Sequence, residues 1–171
     1  MESKTRNEIS IDLYNRFFYA SVCHVCKRFG DDFCLMPCSR CKLIYYCGPE
    51  HHEQHWEQHK LLCNAVEDVL QISSAEDCGE TLKKWDNNSK ITFMWLVSEK
   101  LGRPLERYEK QMLQFPRECL VCQELDVQLL EDCRDCAASY CKNHIDSIEH
   151  RETCSPLALC FRLNLATLKI K

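Results

Sequence analysis

The chain has 171 residues, a formal net charge of −4 and fifteen cysteines. Cysteine at this density means either secreted disulfides or intracellular metal sites, and an acidic balance disfavours duplex binding, whose affinity rests on a basic face. The N-terminal MESKTRNEISIDLYNRFFYA carries acidic residues and no apolar core segment, so neither a secretory signal nor a transit peptide is expected there. Apolar runs are short throughout, which predicts no membrane span and, with the N-terminus, a reducing compartment, cytoplasm or nucleus.

Residues 1–22 place Ile9, Ile11, Leu13, Tyr14, Phe17 and Phe18 close to helical spacing. This predicts a short amphipathic N-terminal helix, acting as a lid on neighbouring apolar surface or as a helix that docks a partner.

Residues 23–63 read C-x2-C, x11, C-x2-C, x5, C-x3-H, x7, H-x3-C. Eight thiol and imidazole donors are the complement of two tetrahedral Zn(II) ions. A C-x2-C turn brings two sulfurs to one metal, so Cys23/Cys26 and Cys38/Cys41 are each half a site. Cys47/His51 and His59/Cys63 are spaced four apart, one helical turn on one face, and supply the other two halves. Spacing alone leaves sequential and interleaved pairing equally open. It also leaves His52 as a substitute for His51, and Cys34 as a competitor of Cys38.

The order of these donors, together with Tyr46-Cys47, Trp56-x2-His59-Lys60 and His59-x3-Cys63, resembles the MYND zinc finger. The resemblance implies an interleaved, cross-brace arrangement with one site of Cys23, Cys26, Cys47 and His51 and another of Cys38, Cys41, His59 and Cys63. His51 stands where the family has a sixth cysteine, which makes a site of three thiolates and one imidazole. So small a module buries little apolar area, and coordination must supply on the order of 10 kcal/mol of folding energy per zinc.

Residues 64–118 form a stretch without ligand pattern, read as a helical spacer that packs on the zinc modules. Asn64 to Gln71 continues the preceding helix through Val66, Val69 and Leu70. Ser73-x2-Glu76 reads as a capping box opening a new helix. Ser89 is the expected cap of a helix carrying Ile91, Met94, Trp95 and Leu101 on its packed face and ended by Gly102. Pro104 suits the first turn of the next, with Leu105, Tyr108 and Met112, closed near Pro116.

The donor pattern then returns over residues 119–154 as C-x2-C, x10, C-x2-C, x4, C-x2-H, x5, H-x3-C, again with a tyrosine, Tyr140, before the fifth donor. Eight donors in the same order imply a duplicated unit. By analogy its sites are Cys119, Cys122, Cys141 and His144, and Cys133, Cys136, His150 and Cys154, bringing the expected zinc count to four. The tail, 155–171, alternates Leu157, Leu159, Phe161, Leu163 and Leu165, which favours a strand and admits a helix; it is a poor place for a domain to stop, and marks where longer relatives are expected to continue. Cys34, Cys78 and Cys160 fall outside the pattern and, with no base nearby in sequence, are expected to be packing residues or surface thiols rather than nucleophiles. The fold class is therefore small zinc-stabilised, α-rich domains, two cross-brace modules joined by a helical spacer.

Closed four-donor sites are structural, because catalytic zinc keeps a position open for water. With twelve bound thiolates subtracting twelve charges and four Zn(II) adding eight, the folded protein drops from −4 to about −8. A non-enzymatic, monomeric interaction module is the leading reading. The resemblance implies proline-rich peptide partners of PxLxP type and an adaptor or transcriptional coregulator. It matches Trp56 to the family's aromatic platform and Ser39 to its small polar residue, with His52 where a Gln is usual. Trp56 as a core residue covering the His59 zinc is the competing assignment. Ser147 stands where the second module would need its tryptophan, so that module is read as a structural partner. A non-catalytic or truncated relative of the MYND/SET lysine methyltransferases is the alternative, carried by Asn143-His144, but no cofactor loop accompanies it. A RING ligase does not match the donor order, and nucleic-acid binding ranks last because CKRFG, CSRCK and LKK are short and scattered.

Overall fold

The computed structural model describes residues 11–29, 34–76 and 87–168. Its elements, in order, are a short helix α1 (Ile11–Tyr14), a hairpin of β1 (Met36–Pro37) and β2 (Tyr45–Tyr46), and helices α2 (Pro49–Glu76), α3 (Asn87–Leu101) and α4 (Arg107–Gln114). A 3-10 turn (Val127–Leu129), a second hairpin of β3 (Leu130–Asp132) and β4 (Ser139–Cys141), and helix α5 (Ile148–Ala166) follow. Both hairpins are antiparallel, Met36 opposite Tyr46 in the first and Glu131 opposite Tyr140 in the second. Small zinc-site modules in an α-rich chain are what the structure contains.

The backbone repeats itself at all four C-x2-C turns. Among the described residues, the only non-glycine positions with positive φ are Lys27, Lys42, Gln123 and Ala137, at 55 to 62°, and each directly follows the second cysteine of a pair. That left-handed residue lets the chain fold back so that its own N–H reaches the carbonyl of the first cysteine: Lys27 to Cys23 at 2.8 Å, Lys42 to Cys38 at 3.1 Å, Gln123 to Cys119 at 2.8 Å and Ala137 to Cys133 at 2.9 Å. None is glycine, so each turn carries some backbone strain that the rest of the site must hold. The first turn of each module also bonds its own hairpin, His24 N to the Tyr45 carbonyl at 2.9 Å and Leu120 N to the Ser139 carbonyl at 3.0 Å.

Helix α2 is a single rod of 28 residues, where the sequence suggested a new start at Ser73. Pro49 in its first turn needs no N–H partner, Glu50 suits the positive end, and no breaker interrupts the run. Ser73 to Glu76 is therefore its last turn. Val66 and Val69, past the last finger donor, are buried with Phe93 and Val97 of α3 and Leu105, Tyr108, Met112 and Leu113 around α4. Helix α3 begins at Asn87, so Ser89 lies inside its first turn, and its buried stripe is Lys90, Phe93 and Val97. Ile91 and Trp95, expected inward, are 65% and 60% exposed. Gly102 at φ 65° ends the helix. Pro104 precedes α4 instead of sitting in its first turn; the Glu109 carboxylate receives the Glu106 N–H at 2.7 Å and the Arg103 guanidinium at 2.7 and 2.8 Å, which starts the helix at Arg107.

The N-terminal lead-in is helical only to Tyr14 among the described residues, and then irregular. Tyr14, Phe17 and Phe18 are nonetheless buried, as the lid reading requires. Ile9 lies outside the described residues. The tail is helix, not strand: its leucines alternate as a strand would, but α5 starts from a Ser147 cap whose side chain receives the His150 N–H at 3.3 Å. Pro156 sits inside α5 on an exposed position, where water can take the freed carbonyl.

The two modules pack together. Val22, Ala137 and Phe161 form a small core between them, Tyr19 OH receives a hydrogen bond from Asn164 at 3.0 Å, and Ser21 Oγ donates to the Ala137 carbonyl. Arg117 pairs with Asp132 at 2.7 Å and lies 5.5 Å from the Tyr45 ring.

Candidate metal centres and the peptide surface

Four groups of donor atoms form, each with its atoms within 4.8 Å of one another: Cys23, Cys26, Cys47 and His51; Cys38, Cys41, His59 and Cys63; Cys119, Cys122, Cys141 and His144; and Cys133, Cys136, His150 and Cys154. Each C-x2-C pair is thereby grouped with donors beyond the next pair, which is the interleaved arrangement. Helix α2 explains it mechanically. His51, His55, His59 and Cys63 recur every fourth residue, so one helix face reaches both groups of the first module.

The geometry suits zinc. Four ligands at about 2.3 Å on a tetrahedron put neighbouring sulfurs about 3.8 Å apart, and the recorded sulfur pairs are Cys26–Cys47 at 3.7 Å and Cys38–Cys63, Cys122–Cys141 and Cys133–Cys154 at 3.8 Å. A disulfide would need about 2.05 Å, and these cysteines are free. Each imidazole turns one nitrogen inward, and the choice alternates in the same way in both modules. His51 uses Nδ1, 3.0 Å from Cys47 Sγ, and His144 uses Nδ1, 3.2 Å from Cys141 Sγ; His59 and His150 use Nε2, 3.4 and 3.7 Å from Cys41 and Cys136. His150 Nδ1 is held by the Ile145 carbonyl, which fixes its tautomer for coordination through Nε2.

Electrostatics point the same way. The Cys23 thiol is pulled down to about 4 by its hydrogen bond from Cys26 and by backbone N–H groups, while Cys26 is pushed far up by the bond it gives and by burial. Cys38 is likewise pulled far down by bonds from Cys41 and Cys63, with Cys41 pushed far up and Cys63 up to about 11 by their bonds to Cys38. Thiols so crowded cannot all ionise against one another. A dication resolves the conflict by making every sulfur a ligand. The chain thus holds four Cys3His groups fit for four zinc ions.

The structure places the two alternatives elsewhere. His52 faces the Tyr46 and Trp56 rings, 5.0 and 5.7 Å away, with its Nε2 buried and unpartnered among the described residues. Cys34 is exposed and outside every group, as is Cys160; Cys78 lies outside the described residues. One secondary-structure expectation also shifts: Cys47 precedes α2, and only His51 is helical. In the second module Cys141 ends β4 and His144 sits in the turn before α5.

Trp56 is half-buried on α2, its ring 6.2 Å from that of His59. The Arg40 guanidinium lies 5.9 Å from the indole and is tethered by Asn64 at 2.7 Å and by Glu67. Ser39, beside Arg40, is exposed. Sequence reasoning missed Arg40, and also the buried layer of His24 and His55 between the sites. His24 and His55 lie 4.6 Å apart, packed against Tyr14 and Tyr108, and Tyr46 OH meets His55 Nδ1 at 2.8 Å. The unbroken four-residue recurrence His51, His55, His59, Cys63 was the available signal for His55.

No helix among the described residues is long and apolar enough to cross a membrane. Egl nine homolog 1 of Homo sapiens is 40% identical to this chain over 48 residues, 28% of this chain and 11% of that protein. The Mus musculus protein of the same name is 38% identical over 45 residues, 26% of this chain and 10% of that protein. The Rho GTPase-activating protein gacZ of Dictyostelium discoideum is 38% identical over 45 residues, 26% of this chain and 4% of its own length. The chain thus spans about a tenth or less of the curated relatives it matches, and no solved structure matches it. Residues 23–63 match the family model of the MYND finger, so this segment is a zinc-binding finger of a protein-interaction family.

Proposed function

We propose that this chain is a non-enzymatic adaptor or transcriptional coregulator that binds proline-rich segments through its first finger, with the sixteen donors named above as ligands of four structural zincs. The observation that carries the reading is Trp56: a half-buried indole on the helix that both first-module sites anchor, next to the exposed Ser39. A rigid indole beside a preformed polyproline helix loses little ordering entropy on binding. His52, edge-on to Trp56, would line the same surface. Four donors fill each group, leaving no open position for a reactive water, which supports a binding role over catalysis. In the second module the equivalent position is Ser147, committed to capping α5, which supports a structural role there.

The test is Trp56→Ala in the zinc-loaded chain, titrated with a fluorescent PxLxP peptide. Loss of an aromatic anchor at a small interface costs about 2 kcal/mol or more, so affinity should fall tenfold or more with zinc content unchanged. Equal binding by a folded, zinc-replete variant would refute the groove and move the search to the exposed Ile91 and Trp95 on α3.

A further inference from the structure

The four groups are chemically alike but not equally shielded. All four donors of the Cys38, Cys41, His59 and Cys63 group are buried. Of the twelve donor cysteines, Cys122 is the one that is exposed; the other eleven are buried or partly so. Its own knuckle partner Cys119 is buried and takes backbone N–H bonds from Val121, Cys122 and Cys141, whereas the backbone donor to Cys122 is Glu124. Hydrogen bonds and burial draw charge from a thiolate and block approach; Cys122 is the most open of the twelve and has fewer backbone donors than Cys119.

We infer that Cys122 is a peroxide-sensitive thiolate whose oxidation dismantles the Cys119, Cys122, Cys141 and His144 site. The inference rests on that site holding zinc. The exposed Cys122 sulfur attacks one oxygen of hydrogen peroxide: an S–O bond forms, the O–O bond breaks, and the departing hydroxide takes a proton to become water. The resulting sulfenic acid lies beside a second thiolate, Cys141, whose Sγ is 3.8 Å away. Its attack forms an S–S bond and breaks the S–O bond, and the second hydroxide leaves as water. Two thiolates have then given two electrons to one peroxide, and the Cys119 thiolate and His144 remain, too few donors to retain the ion. The site also positions the hairpin, since Leu120 N bonds the Ser139 carbonyl at 3.0 Å, so its loss loosens the second module.

The experiment uses the full chain, zinc-loaded, with Cys34, Cys78 and Cys160 replaced by serine. Zinc is counted first, then one equivalent of hydrogen peroxide is added, released zinc is followed with a chromogenic chelator, and oxidised cysteines are mapped by mass spectrometry. The expected result is one zinc released together with a Cys122–Cys141 disulfide, about tenfold faster than the other three. A Cys122→His variant, which keeps four donors, should start with four zincs and lose the fast phase. Four zincs released without order, first oxidation at another cysteine, or a fast phase surviving in Cys122→His would each overturn the inference while leaving the four-zinc reading intact. A starting count short of the Cys119 site would overturn both.

Discussion

Lys90 and Glu118 tie the helical region to the second zinc module. The Lys90 Nζ lies 2.6 Å from Glu118 Oε1, with the two side chains only 5% and 12% exposed, and Glu118 directly precedes Cys119. At that distance and an effective dielectric near 20 the attraction is about 6 kcal/mol, offset by several kcal/mol of desolvation per ion. The pair is therefore close to neutral against apolar replacements, but breaking it is not. Glu118 Oε2 is buried with no partner among the described residues, so Lys90→Met leaves the carboxylate without a donor. We expect Lys90→Met to cost about 3–5 kcal/mol, and Lys90→Met with Glu118→Met to return within about 1 kcal/mol of the parent. Urea unfolding of zinc-loaded proteins at fixed free zinc, followed by circular dichroism, gives both numbers. A single-variant loss below about 1 kcal/mol, or a double variant as damaged as the single, would show that the pair is solvated and the reasoning wrong.

Metal analysis of the purified chain should return four zincs, and chelation should unfold it. His51→Cys should keep all four, and His51→Ala about three; full zinc in His51→Ala with loss in His52→Ala would shift the assignment by one residue. For pH, burial first and then neighbouring His59 depress His55 to about 3. A histidine near 6.5 when unfolded then takes up a proton only in the unfolded state, so stability is unaffected above about 6.5 and falls as pH drops towards 3. Between pH 7 and 5 this amounts to about 2 kcal/mol for His55, and His55→Gln should lessen the acid sensitivity by that amount in urea unfolding at the two pH values. An unchanged slope would place His55 in contact with water.

What the sequence determined about this protein is local chemistry. Donor identity and spacing are short-range properties, so two blocks of eight donors, the four C-x2-C turns and the MYND register could be read directly. Tyr46-Cys47 and Tyr140-Cys141 fall at matching places because the duplicated hairpin needs the same buried ring before the same donor. Pairing was different: spacing admits sequential and interleaved sites alike, and the choice depends on a single unbroken α2 carrying His51 to one group and His59 and Cys63 to the other. The misread segments share a cause as well. Alternating leucines in 155–171 fit a strand, yet a Ser147 cap and packing of Phe161 against Val22 and Ala137 select a helix. Trp95 turned outward because α3 offers Phe93 and Val97 to α2, a choice of face set by its neighbours. Accessibility lies furthest from sequence. Cys26 and Cys122 hold the same place in their C-x2-C pairs, but Cys26 is partly buried and Cys122 faces water, because only tertiary packing decides which sulfur of a repeated motif is covered.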